Sequence, residues 1–193
     1  MLLDPGGQLE FDGDTLVYAS CSGANAADWA QFDCAIRTLD RTGPDQWGND
    51  VLIVPSIGTN NYYPSFSPDS AWIAFNRALG EDTYDALSAE LLIVPTLGGT
   101  PIALGSGNQG PNQTNSWARW ADEHGDVTWL AFASRRPYGA LTSGIPQVWI
   151  VGIDQAAAQA GTDPSRPALW LPGQDPAVGN HTPVWVPRFA PVP

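Results

Sequence analysis

Short apolar alternations separated by turn residues run the length of the chain. TLVYAS (15–20), AWIAFN (71–76) and TWLAFA (128–133) each put alternate apolar side chains on one face, the period of a half-buried β-strand. Their aromatic positions Tyr18, Phe75 and Phe132 stand 57 residues apart in both steps. A second set follows: VLIVPSIG (51–58), LLIVPTLGG (91–99) and VWIVGID (148–154). Val94 and Val151 lie 19 residues after Phe75 and Phe132, whereas Val54 lies 36 after Tyr18, so the first unit is longer by 17 residues. That extra length falls around the two cysteines. A third set, QLEF (8–11), PSF (64–66), ARW (118–120) and PVW (183–185), precedes the anchors, and TPIAL (100–104) and PALWL (167–171) form a fourth.

The recurrent order, strands A to D, predicts an all-β chain: three four-stranded antiparallel sheets plus one extra strand, in a single domain over 1–193. The expected bounds are 8–59, 60–105 and 114–172, with the final strand at 183–187. Four-stranded units repeating at roughly 40 to 60 residues are the signature of β-propeller blades. A closed propeller needs at least about 4 blades. The expectation is therefore an incomplete propeller, completed by missing blades or by a homo-oligomer. Only AAAQA (156–160) suggests a turn of helix.

One copy of the unit is sharper than the others. PSFSPDSAWIAF, 64–75, resembles the repeat of the TolB-like β-propellers: an inner strand ending in an aromatic, a Ser-Pro-Asp-Gly turn, then Trp/Lys-Ile-Ala-Phe. Here Ser70 stands where that pattern has Gly. Pro68 presets φ for the turn, and Asp69 can accept backbone N–H groups in an Asx turn. FDGDTLVY (11–18) keeps Asp-Gly but is two residues shorter, and WADEHGDVTWLAF (120–132) has an extended turn. The resemblance implies a scaffold, usually of six blades, that binds proteins in the bacterial periplasm or at the cell surface.

Composition narrows the partners. Eight Lys+Arg, all of them Arg, against 20 Asp+Glu give a formal charge of −12, which repels phosphate backbones and excludes nucleic acid as the main partner. No run of 18 apolar residues is present, so no membrane span is expected, and MLLDPGGQ lacks the basic and apolar regions of a signal peptide. Cys21 and Cys34, without further Cys or a nearby His, point to a disulfide stapling a loop rather than to a metal site. A disulfide implies an oxidising compartment, periplasmic or extracellular. No cofactor is expected. GSGNQG (105–110) fits G-x-G-x-x-G, but Pro111 follows and no helix opens to hold a pyrophosphate.

If A to D alternate in direction, the long B–C connections (21–50, 77–90, 134–147) and D–A connections (105–116, 172–182) share one end of the sheets. Long loops on a rigid scaffold commonly carry function. The candidates there are Trp29, Trp47, Arg77, Tyr84, Arg135, Arg136, Tyr138 and His181. The structural alternatives are solvated loops, contacts to missing blades and, for Arg135 and Arg136, pairing with nearby carboxylates. Acidic groups such as Asp12 with Asp14 lack the spacing of a calcium loop. Two histidines and no G-x-S-x-G leave no visible nucleophile with its base. The expected function is a noncatalytic protein- or peptide-binding scaffold. The alternatives are an accessory propeller of a prolyl-oligopeptidase-like hydrolase, and a carbohydrate-binding module using Trp29 and Trp47.

Overall fold

The computed structural model describes residues 9–24, 30–83, 86–110, 113–122, 125–139 and 144–186. Among these residues twelve strands form three four-stranded sheets, each antiparallel in chain order. The first holds β1 (Leu9–Asp12), β2 (Thr15–Ala24), β3 (Gln31–Gly43) and β4 (Gln46–Val54). The second holds β5 (Asn60–Phe66), β6 (Trp72–Ala78), β7 (Glu90–Pro95) and β8 (Ile102–Ala103). The third holds β9 (Ser116–Trp120), β10 (Val127–Ser134), β11 (Gln147–Asp154) and β12 (Leu169–Trp170). One short helix, α1 (Gln155–Gln159), follows β11, its first turn capped by the Asp154 carboxylate accepting the Ala157 N–H at 3.0 Å.

The sheets stack face to face, with the second in the middle. One face of the second sheet (Ile73, Phe75, Leu92, Val94) packs on Val17, Ile36, Ile53 and Val54 of the first. Its other face (Trp72, Ala74, Leu91, Ile93) packs on Leu130, Phe132, Trp149 and Val151 of the third. Burial on both faces explains why WIAF and LLIV read as unbroken apolar runs, whereas a strand covered on one side alternates. Phe75 and Phe132, the repeated anchors, are fully buried, and truncating either to Ala would cost about 3–5 kcal/mol. The leading strand of each sheet, β1, β5 and β9, lies at a sheet edge and packs against the leading strand of the next.

The Ser-Pro-Asp turn between β5 and β6 is closed from within. The Ser70 N–H donates to the Ser67 carbonyl at 2.8 Å, the Asp69 carboxylate accepts the Ala71 N–H at 3.2 Å, and Ser67 Oγ accepts the Trp72 N–H at 2.9 Å. Ser70 itself sits at φ +58°, the left-handed conformation that favours glycine.

Three expectations need correction. The stretch 21–50 is not a loop: Gln31–Gly43 is the third strand of the first sheet and VLIV belongs to its fourth. The disulfide between Cys21 and Cys34 is present, but it ties directly opposed residues of β2 and β3, Cα atoms 3.9 Å apart, rather than stapling a loop. The final segment is also not a strand over its described part, 181–186. It is held instead by the Trp185 indole N–H, which donates to the Arg119 carbonyl at 2.9 Å.

Candidate functional site

Strand alternation gathers the 79–89, 104–115 and 135–146 connections at one end of the sheets. Of the sequence-predicted residues, Arg77, Arg135, Arg136, Tyr138 and His181 lie at that end. Trp29 and Tyr84 fall outside the described residues. Trp47 is at the opposite end, because its strand is the fourth of its sheet; it packs half-buried on Phe11, rings 5.5 Å apart.

The leading strands of the second and third sheets, and the last described segment, share a repeated device that starts at this end. Asn61 to Phe66, Asn115 to Trp120 and Asn180 to Trp185 are all Asn-x4-aromatic. In the first two a bulge follows two residues after the Asn, with Tyr63 at φ +51° and Trp117 at φ +53°. A bulge bends the strand and re-aims a side chain. Here it stacks the two equivalent rings on one another, 4.6 Å apart and 15° from parallel, and His181 meets Trp117 edge-on at 6.1 Å. His181 is thus placed by an aromatic contact in this column.

At the far end of the strands the aromatic position also repeats its contact. The Trp120 indole donates to the Ser65 carbonyl at 3.1 Å, and the Trp185 indole donates to the Arg119 carbonyl, the equivalent residue one unit later. The sequence carries this signal as the constant five-residue spacing from Asn to aromatic, which strand patterning alone passes over.

Arg77, which the structure places in β6 rather than in a loop, and Arg136, just after β10, are clamps of one kind. Arg77 lies over the Phe75 ring at 5.5 Å and donates from Nε to Asn61 Oδ1 at 2.9 Å. Arg136 lies between Phe132 and Trp149, 5.1 Å from each ring centroid, and donates from Nη2 to Asn115 Oδ1 at 2.8 Å. Burial pulls both guanidinium groups below their ordinary value, Arg77 with Glu90 opposing, and Arg136 down to about 10. Arg136 still carries its charge at neutral pH.

The expected carboxylate partner of Arg136 is absent among the described residues. Its remaining bonds run from Nη1 to the Gly107 and Gln109 carbonyls at 2.9 and 3.0 Å, and from Nε to Ser134 Oγ at 3.1 Å. Carbonyl acceptors suit a buried cation when no anion is at hand, since each unmade bond would cost the full desolvation of the group. The clamp pins the β8–β9 connection to the end of β10. Arg135 is placed by its N–H, which donates to Thr114 Oγ1 at 3.2 Å.

Beside Arg136 a groove of about 350 Å³ opens between the β8–β9 connection and the third sheet. Ser106, Gln109 and Gly110 form one wall; Pro137, Tyr138, Trp149 and Trp170 form the other. Tyr138, half exposed, stacks on Trp170 at 4.9 Å and meets Trp149 edge-on at 5.9 Å. Trp149 and Trp170 pack in the third sheet, yet neither indole N–H has a hydrogen-bond acceptor among the described residues. Such a donor in a buried position is uncommon and marks a place where an acceptor is wanted. Among the described residues no three His, Cys, Asp or Glu side chains come together in a way that could hold a metal ion. Among them, too, no helix is long and apolar enough to cross a membrane.

Comparison with known proteins adds no relative: neither a protein-family model nor a curated protein matches the chain.

Proposed function

We propose that the chain is a noncatalytic, propeller-type repeat scaffold akin to the TolB-like family, which binds a protein or peptide at the end of its sheets where the long connections gather. The single observation that carries this reading is the aromatic groove at that end, walled by two connections that a buried arginine holds together. Rigid walls lower the ordering cost of binding, and tyrosine and tryptophan supply large contact area with few rotamers to freeze. The propeller arrangement is supported by the indole-to-carbonyl bond that recurs from one leading strand to the next, with 183–185 taking the leading position of a fourth unit. A periplasmic or extracellular setting is supported by the disulfide.

The test is a bead-bound library of twelve-residue peptides, half anchored through the N-terminus and half through the C-terminus. The wild-type protein, Tyr138→Ala and, as a control at the other end, Leu97→Ala are compared. Leu97 is 97% exposed in the β7–β8 turn. Peptides enriched by the wild type and by Leu97→Ala, but retained at least tenfold less by Tyr138→Ala, are expected. Equal retention by all three proteins would refute a peptide site at this end.

A further inference from the structure

Three observations converge on the groove. Arg136 is only 7% exposed and lines it, and among the described residues its charge is met by neutral acceptors alone. Trp149 is 5% exposed, and its indole N–H and that of Trp170, both enclosed, lack acceptors among the described residues. Neither Asp nor Glu is among the lining residues. Asp163, bonded to Ser106 at 2.9 Å, is taken up by the N–H and hydroxyl groups of Ser106 and Ser165.

The lining therefore sets positive charge beside an apolar aromatic wall, with the two indole N–H groups enclosed within it, and among the described residues it offers no anion in return. A cationic ligand would find the Tyr138 and Trp170 rings and the neutral acceptors of Ser106 and Gln109, but it would also be repelled by the Arg136 charge. An acceptor-only group is served well: a carboxylate supplies up to four lone-pair sites and no donor. Its attraction to Arg136 strengthens where water is excluded. The stacked Tyr138 and Trp170 rings supply a surface for a flat or aliphatic body attached to that group.

Resting on the peptide-binding reading, we infer that the groove receives the C-terminal end of a peptide: the free α-carboxylate toward Arg136, and an apolar last side chain against Tyr138. Residues that would confer specificity are Tyr138 and Trp170, and Arg136 positions both walls while supplying the charge.

The probe pair is N-acetyl-prolyl-phenylalanine with a free carboxylate and the same compound as its carboxamide. Binding to the full chain is measured by calorimetry, with the indole N–H resonances of Trp149 and Trp170 followed by NMR and assigned by Trp170→Phe and elimination. The acid is expected to bind at least tenfold more tightly than the amide, to move both indole signals, and to lose at least tenfold in affinity in Tyr138→Ala. Arg136→Lys, where it folds, is expected to lower the acid-to-amide ratio. Equal affinity of acid and amide would overturn the carboxylate inference while leaving a peptide site standing. No binding of either probe, alongside Tyr138-dependent retention of C-terminally anchored library peptides, would also overturn it and leave the broader reading intact. Acid binding that is indifferent to Tyr138→Ala and leaves the indole signals in place would put the carboxylate elsewhere and overturn the inference in the same way.

Discussion

Replacing Arg136 by methionine separates two effects that oppose each other. Holding the charge in its buried place costs about 3 kcal/mol, taking the fall from the ordinary guanidinium value to about 10 at about 1.4 kcal/mol per unit. Against this stand four side-chain hydrogen bonds, each worth roughly 1.5–3 kcal/mol when the donor is charged, and two aromatic faces at about 0.5–2 kcal/mol each. The bonds win by this reckoning. Methionine would fill part of the space between Phe132 and Trp149 but would leave the Gly107 and Gln109 carbonyls to whatever water the groove admits. The expected loss is the low end of that balance, about 4 kcal/mol, or a melting temperature lower by roughly 8–16 °C for a chain of this size. Urea unfolding followed by tryptophan fluorescence reads it, with an unchanged m-value showing that the folded state is otherwise preserved. Buried ionic groups are sometimes replaced by apolar ones at no cost. If Arg136→Met matched or exceeded the wild type in stability, desolvation would be the larger effect and the clamp would not be what joins the two walls.

Three further outcomes are expected. Ser70→Gly should raise the urea midpoint by the equivalent of about 1 kcal/mol, because the left-handed conformation at φ +58° costs a residue with a Cβ and glycine nothing; an unchanged midpoint would show that the turn relaxes the strain elsewhere. Burial raises the Glu10 carboxyl above its ordinary value, opposed by Ser65, Arg119 and the Phe66 N–H that it accepts at 2.7 Å. A raised native value makes this group's contribution greatest below pH 4.5 and smaller as pH climbs through the native value. Glu10→Gln should thus exceed the wild type in stability at pH 7 and converge with it below pH 4.5, as unfolding at a series of pH values would report; a constant gap would contradict this. Reducing Cys21–Cys34, with its 13-residue separation, should cost about 3 kcal/mol through the entropy of the unfolded chain, measured as the urea midpoint with and without reductant.

Much of the architecture is legible in the sequence because the middle sheet is buried on both faces. There WIAF and LLIV stand out as apolar runs of fixed separation, and their copies in the third sheet follow the same interval. The first sheet is harder to read for the converse reason. Packed against the second sheet through Cys34, Ile36 and Thr38, β3 interleaves those with Ala35, Arg37 and Leu39, and its Asp33, Asp40 and Arg41 are exposed. So polar a strand does not resemble its counterparts LLIV and VWIV. VLIV, an outer strand with Val51 and Leu52 about half exposed, resembles them better and stands in for them in the repeat pattern. At the site, strand alternation alone puts Arg77, Arg136, Tyr138 and His181 at the right end. What patterning cannot supply is the role of Arg136, since its acceptors are backbone carbonyls, which leave no trace in side-chain identity. The unpaired indoles are hidden likewise, because a tryptophan on a strand says nothing about where its N–H points.

The indole-to-carbonyl bond has a bearing on how such a chain is built. Trp120 reaches back to Ser65, and Trp185 reaches back to Arg119, so in each case the receiving carbonyl is synthesised 55 or 66 residues before its donor. A nascent chain would lay down each sheet against a neighbour already formed, with the socket waiting before the key. Units would then be added in one direction, and a copy gained or lost during evolution would carry its own fastening with it.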